Sequence, residues 1–112
     1  MKELRSYRDT YKNLSHIFSG YFHEDAELSY DEIMNNDVLE SFYINEITEH
    51  IIPEIDGLIS ENLSDHELEE VLVYAFSASS TPAMKKQAGV TTNKDWLLDI
   101  KKRFQEKIEK EN

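Results

Sequence analysis

From Val38 to Ile59 apolar residues recur at helical spacing: Val38, Leu39, Phe42, Tyr43, Ile47, Ile51, Ile55, Leu58 and Ile59. No stretch of the chain shows the period-two alternation of a strand, and no hairpin dipeptide appears. These patterns restrict the chain to helices that bury apolar stripes against one another. Pro53 falls inside the longest pattern. A proline has no N–H to give, and its ring crowds the carbonyl four residues back. The spacing therefore predicts either one kinked helix or two abutting ones, the second with Pro53 in its first turn. Asn62 and Leu63 close the pattern.

The flanking segments have the same character. Tyr7, Tyr11, Leu14, Ile17 and Phe18 form one stripe, which predicts a helix from about Ser6 to Ser19 with Gly20 as a left-handed stop. Ser29-Tyr30-Asp31-Glu32 fits a capping box and predicts a short helix to about Met34, ended by the turn signal Asn35-Asn36-Asp37. Ser64-Asp65-His66-Glu67 is a cleaner capping box, opening a helix that buries Leu68, Val71, Leu72, Ala75 and Phe76. Residues 77–91, with Ser, Thr, Pro82 and Gly89, read as the least ordered part. Thr92-Asn93-Lys94-Asp95 caps a last helix with the stripe Trp96, Leu97, Ile100, Phe104 and Ile108. The expectation is an all-α fold, a single compact domain over residues 1–112 with about five helices around one core. A chain of 112 residues is long enough for one such core and too short for two.

Charge divides the chain more sharply than hydrophobicity does. Residues 13–84 hold sixteen Asp and Glu and no Lys or Arg, whereas all 12 bases lie in residues 1–12 and 85–112. The net charge is −11. Such a field disfavours nucleic acid and anionic membrane surfaces as partners and favours a basic protein. The absence of cysteine excludes disulfides and thiolate zinc sites. Charges occupy Met1–Ser6 where a signal peptide would need an apolar run, and Val71–Phe76 is far too short to span a membrane. A cytoplasmic protein is expected.

His16, His23, Glu24 and Asp25 have residue types that suit a divalent metal, so a metal-dependent hydrolase is one alternative. The helical His spacings of zinc sites are absent, as are a nucleophile elbow and a phosphate-cradling glycine loop. Neither a catalytic residue nor a bound metal or cofactor is expected. The acidic band also has a plain explanation as a solvated face that aids solubility. It lacks, however, the Glu–Lys pairs four residues apart that solvated helices use. Aromatics within an acidic surface suit a protein interface, because charge speeds encounter and aromatic rings supply binding energy. The candidate partner-binding residues are Glu24, Asp25, Glu27, Asp31, Glu32, Asp37 and Glu40, with Tyr30 and Tyr43 as exposed anchors. Trp96 is assigned to the core. A general acidic adaptor for a basic protein is a further alternative.

Gly20-Tyr21-Phe22-His23-Glu24-Asp25 resembles the signature of one family of immunity proteins from bacterial contact-dependent growth inhibition systems, the CdiI type. That signature reads Tyr-Phe-His-Gln-Asp after an N-terminal helix; here Glu24 replaces the glutamine, and Ala26 stands where a large aromatic is common. Leu63-Ser64-Asp65-His66-Glu67-Leu68 is similar to the family's Leu-Ser-x-x-Glu-Leu helix start, and Trp96-Leu97 to its C-terminal Trp-Leu. The resemblance implies a small helical cytoplasmic protein that carries out no reaction. It would bind and block the toxic C-terminal domain of a large protein delivered by a neighbouring cell. Many such toxins are nucleases with basic substrate surfaces, which an acidic face would mask. No contact residue carries over by motif.

Overall fold

The computed structural model describes residues 2–22 and 29–111. Among them there are seven helices and no strand. We label them α1 (Leu4–Thr10), α2 (Lys12–Tyr21), α3 (30–41), α4 (44–60), α5 (65–75), α6 (Thr81–Ala88) and α7 (Asn93–Glu111). The count exceeds five for two reasons. The first helical stripe is broken at Tyr11, whose backbone leaves the helical region at φ −115°, ψ 57°. The segment after α5, expected to be irregular, contains α6. That helix has Pro82 in its first turn and Gly89 in the left-handed conformation (φ 76°) just past its end. Proline inside the start and glycine beyond the end are helix signals, and in this segment they outweigh the Ser and Thr content.

Three stretches widen into π-helical turns, at Ile33–Val38, Ile47–Ile51 and Val71–Ala75. The first carries α3 straight through Asn35-Asn36-Asp37, so the expected turn there lies within the helix. The second resolves the Pro53 question in favour of one continuous helix. The Ile52 N–H reaches back five residues to the Ile47 carbonyl, and this wider turn directly precedes the proline. Asn62, at φ 56°, ends α4. Gly20 is not a left-handed stop; it lies in the last turn of α2, and the helix ends at Tyr21 with Phe22 as its C-cap.

The apolar stripes converge on Trp96, which is fully buried. The rings of Phe18 and Phe22 from α2 meet it edge-on at 5.2 and 5.3 Å, and Tyr30 from α3 lies 6.3 Å away. Phe76, following α5, stacks on Phe18 at 5.9 Å. Edge-on aromatic pairs at these distances add to the stabilisation from burial alone. Phe22 therefore packs the end of α2 against α7. His23 and Asp25, which follow it in the sequence, lie outside the described residues.

Acidic side chains tie the helices together at their ends. Glu54 of α4 accepts from the backbone N–H of Asn13 (2.9 Å) and Leu14 (3.1 Å), so it caps α2 from 41 residues away. Asp65 accepts from the Asn93 N–H at 2.8 Å, at the start of α7. Each carboxylate satisfies donors that a helix start leaves free, and its charge suits the positive end of the helix dipole. The Ser64 capping box forms as expected, with Glu67 N–H on Ser64 Oγ at 3.1 Å and Ser64 N–H on Glu67 Oε1 at 3.0 Å.

Two outcomes are expected. Trp96→Ala should lower the unfolding free energy by about 3–5 kcal/mol in urea titrations, because it empties the centre of the aromatic cluster. The Ser64 backbone N–H, with the Ser64 hydroxyl second, holds the Glu67 carboxyl below its ordinary value of 4.5. A depressed folded value means stability that is present above the ordinary range and lost as pH falls through the folded value. The stability difference between wild type and Glu67→Ala, measured by denaturation over a pH series, should therefore narrow towards acid.

Candidate functional site

The anticipated anchors separate in the structure. Tyr43 begins α4 and is 79% exposed, whereas Tyr30 is wholly buried. Tyr30 is accordingly corrected from exposed anchor to core residue. Its position beside a cap suggested exposure, but its ring packs on Phe22 and Trp96 and its other face is covered by Arg103, 4.6 Å from the ring centre. The Tyr30 hydroxyl donates to Asp99 Oδ2 at 2.8 Å, and the Tyr30 N–H is taken by the Gln87 side chain of α6. Burial, followed by the bond to Asp99, pushes the hydroxyl's pKa upward.

Arg103 joins this network to the acidic band. Its Nε donates to Asp99 at 2.9 Å and its Nη2 to Asp31 at 2.8 Å. Burial alone would pull the guanidinium down, but the two carboxylates outweigh it and the net shift is upward. Asp31 is therefore not the unpaired charge that its sequence neighbourhood suggests. The same holds elsewhere in the band: Lys101 pairs with Asp56 at 2.6 Å, Lys85 with Glu69 at 3.7 Å, and Lys2 with Glu61 at 3.8 Å. Residues 13–84 contain no Lys or Arg, yet the fold brings cations to them from both ends of the chain.

A surface cleft of about 620 Å³ lies between α3 and the second half of α7. Asp31 and Glu40 line it from α3, facing Lys102, Arg103, Lys107 and Lys110 of α7. It is a mixed-charge cleft, not an acidic one. Glu32 and Asp37 are not among its lining residues. Glu32 is exposed; its N–H donates to Ser29 Oγ at 3.2 Å and its carboxylate accepts the Ser29 hydroxyl at 3.0 Å, so the Ser29 cap forms without the reciprocal half of a capping box; Asp37 is half-buried. Among the candidates, Glu40 and Asp37 have side-chain carboxylates with no ion pair or hydrogen bond from the described residues. Glu24, Asp25 and Glu27 lie outside the described residues.

Asp99, Arg103 and Lys107 went unnoticed in the sequence as parts of this site. Their spacing of four places them on one face of α7, a signal available once α3 is known to pack there. The Lys107 ammonium donates to the carbonyls of Leu39 and, at 3.3 Å, Phe42, where α3 ends. A cation at the carbonyl end of a helix is electrostatically favourable. The structure also exposes Tyr74 of α5, at 71%, and partly exposes Leu98 of α7. His16 is exposed on α2, while His23, Glu24 and Asp25, its suggested metal-binding companions, lie outside the described residues. Among the described residues no group of three or more His, Asp or Glu side chains is disposed to hold a metal.

The two kinds of acid should respond differently to neutralisation. Asp31→Asn should lower stability by up to ~1 kcal/mol, the range of an exposed ion pair. Glu40→Gln should leave stability unchanged to within about 0.5 kcal/mol, since it removes no ion pair or hydrogen bond. Urea denaturation of both variants checks this.

Residues 10–104 match the family model described as CdiI immunity protein. No curated protein and no solved structure matches the chain.

Proposed function

The chain belongs to the CdiI immunity protein family, whose members neutralise toxins by binding them, and we propose that it does so through an acidic surface at the junction of α3 and α4. The partner is the C-terminal toxin domain of a large delivered protein. Its functional surface is basic, as in a nuclease, and the bound immunity protein masks that surface without any reaction.

The observation that carries this reading is Tyr43, a large aromatic side chain 79% exposed within a 72-residue stretch that has no Lys or Arg of its own. An exposed aromatic ring supplies contact area and a hydroxyl at small entropic cost. The neighbouring carboxylates of Glu40 and Asp37 supply the charge that draws in a basic surface. Glu32 extends the same helix, and Glu24, Asp25 and Glu27 belong to the proposed surface by sequence position. Asp31 contributes less, because its charge is partly satisfied by Arg103. Tyr30, being buried, supports the surface from beneath and does not touch the partner.

Charge also suits this role kinetically. A protein of net charge −11 meets a basic domain faster than diffusion of neutral partners would allow, and the advantage fades as salt screens it. Blocking a toxin before it acts favours rapid association.

Reversing two charges, Asp37→Lys together with Glu40→Lys, tests the assignment. With its cognate toxin domain as the probe, the association rate at low salt should fall on the order of tenfold or more. The variant should protect cells less well against that toxin. Unchanged association and unchanged protection would remove this face from the function.

A further inference from the structure

The connection between α3 and α4 is short, and contacts from α7, α4 and α2 hold it. Lys107 reaches across from α7 and donates to two carbonyls of this corner, those of Leu39 and Phe42. The Phe42 ring meets Phe104 edge-on at 6.4 Å. The Tyr43 N–H donates to Glu46 Oε1 at 2.9 Å, which starts α4. On the other side the Tyr21 hydroxyl and Ser41 Oγ share a hydrogen bond of 2.8 Å, and Ser41 Oγ also donates to the Asp37 carbonyl. From this fixed corner Tyr43 projects into solvent. Connections on protein surfaces are ordinarily among the more mobile parts of a fold. A held backbone with an exposed ring is the arrangement that reduces the ordering cost of binding.

We propose that the α3–α4 corner is a pre-set docking knob. The Tyr43 ring enters an apolar recess on the toxin domain's basic surface, and Lys107 is the positioning residue that holds the knob in its bound geometry without touching the partner. This rests on the reading above, that the chain binds a basic toxin domain, and it adds the anchor and the internal support. Lys107 carries the one sign of charge that a basic partner would repel. Its ammonium is spent on carbonyls inside the corner, which lets a cation sit close behind an acidic face. Glu40, which borders the same corner and has no internal partner among the described residues, supplies the complementary charge at the rim.

The test is a double-mutant cycle on the full chain, with binding to its cognate toxin domain measured by surface plasmon resonance. Tyr43→Ala should raise Kd about thirtyfold, as loss of a binding hot spot does. Lys107→Met, which keeps the aliphatic stem and loses the donor, should raise Kd about fivefold, whereas Lys107→Arg should restore most of that loss. In the Tyr43→Ala background Lys107→Met should then change Kd by less than about twofold, because there is no anchor left to position. Phe42→Leu loosens the same corner through a different contact and should behave as Lys107→Met does, so the test stands if one variant folds poorly. Equal effects of Lys107→Met in both backgrounds would overturn the positioning role. An unchanged Kd for Tyr43→Ala, with binding still weakened by reversal at Asp37 and Glu40, would overturn the knob and leave the acidic-face reading intact. Failure of the wild-type chain to bind the toxin domain would overturn both. Self-association of the free chain that depends on Tyr43, seen by sedimentation, would assign the knob to a second copy and overturn it as a toxin contact.

Discussion

The packing of Trp96 sets the geometry on which the rest depends. It lies one turn into α7 and receives rings from α2 and α3 at once. The 19-residue helix that begins there packs on α4, α5 and α6, and its second half also reaches the end of α3. Arg103 arrives over the face of Tyr30, and Lys107 arrives at the carbonyls where α3 ends. The aromatic core and the polar surface are thus consequences of one docking event. Phe22 links this to the distinctive Tyr-Phe stretch of the sequence, which is therefore structural at least in its phenylalanine.

The acidic band has more than one use. Glu54 and Asp65 act as helix caps supplied from distant parts of the chain, Glu46 accepts the Tyr43 N–H at the start of α4, and Glu67 closes a local capping box. Asp31, Asp56, Glu61 and Glu69 take cations from the two terminal segments. Exposed pairs of this kind are individually worth less than about 1 kcal/mol, so they do not hold the fold together. They redistribute the field. The chain remains strongly negative, but the negative charge without an internal partner is concentrated at fewer places, of which Asp37 and Glu40 precede an exposed aromatic residue, Tyr43, by six and three positions. Function in this account comes from what the fold leaves unpaired, not from the acidic band as a whole.

Much of this was legible in the residues. The stripes Tyr7–Phe18, Leu68–Phe76 and Trp96–Phe104 could be assigned to a core because burial follows the helical period directly, and the Ser29 side-chain cap and the Ser64 capping box are local chemistry. Three things could not be read. Whether Tyr30 or Tyr43 is exposed depends on α7 covering one of them, which is a tertiary fact. The π-helical turns pass Asn35-Asn36-Asp37 and lead into Pro53 without ending a helix, because hydrogen bonds five residues apart tolerate what the ordinary turn does not. The pairing of the acidic band was invisible because its cations lie 16 to 72 positions away, from Lys85 on Glu69 to Arg103 on Asp31. Local patterns such as the four-residue spacing of Asp99, Arg103 and Lys107 acquire meaning only once their neighbours are known.

The most direct measurement is a hydrogen-exchange footprint of the chain, free and bound to its cognate toxin domain. If the unpaired acids and Tyr43 form the contact surface, protection gained on binding should be greatest across residues 37–46 and small around Tyr74 and Leu98 on the other exposed apolar positions. Protection centred on Tyr74 or Leu98, with residues 37–46 exchanging as they do in the free chain, would contradict it.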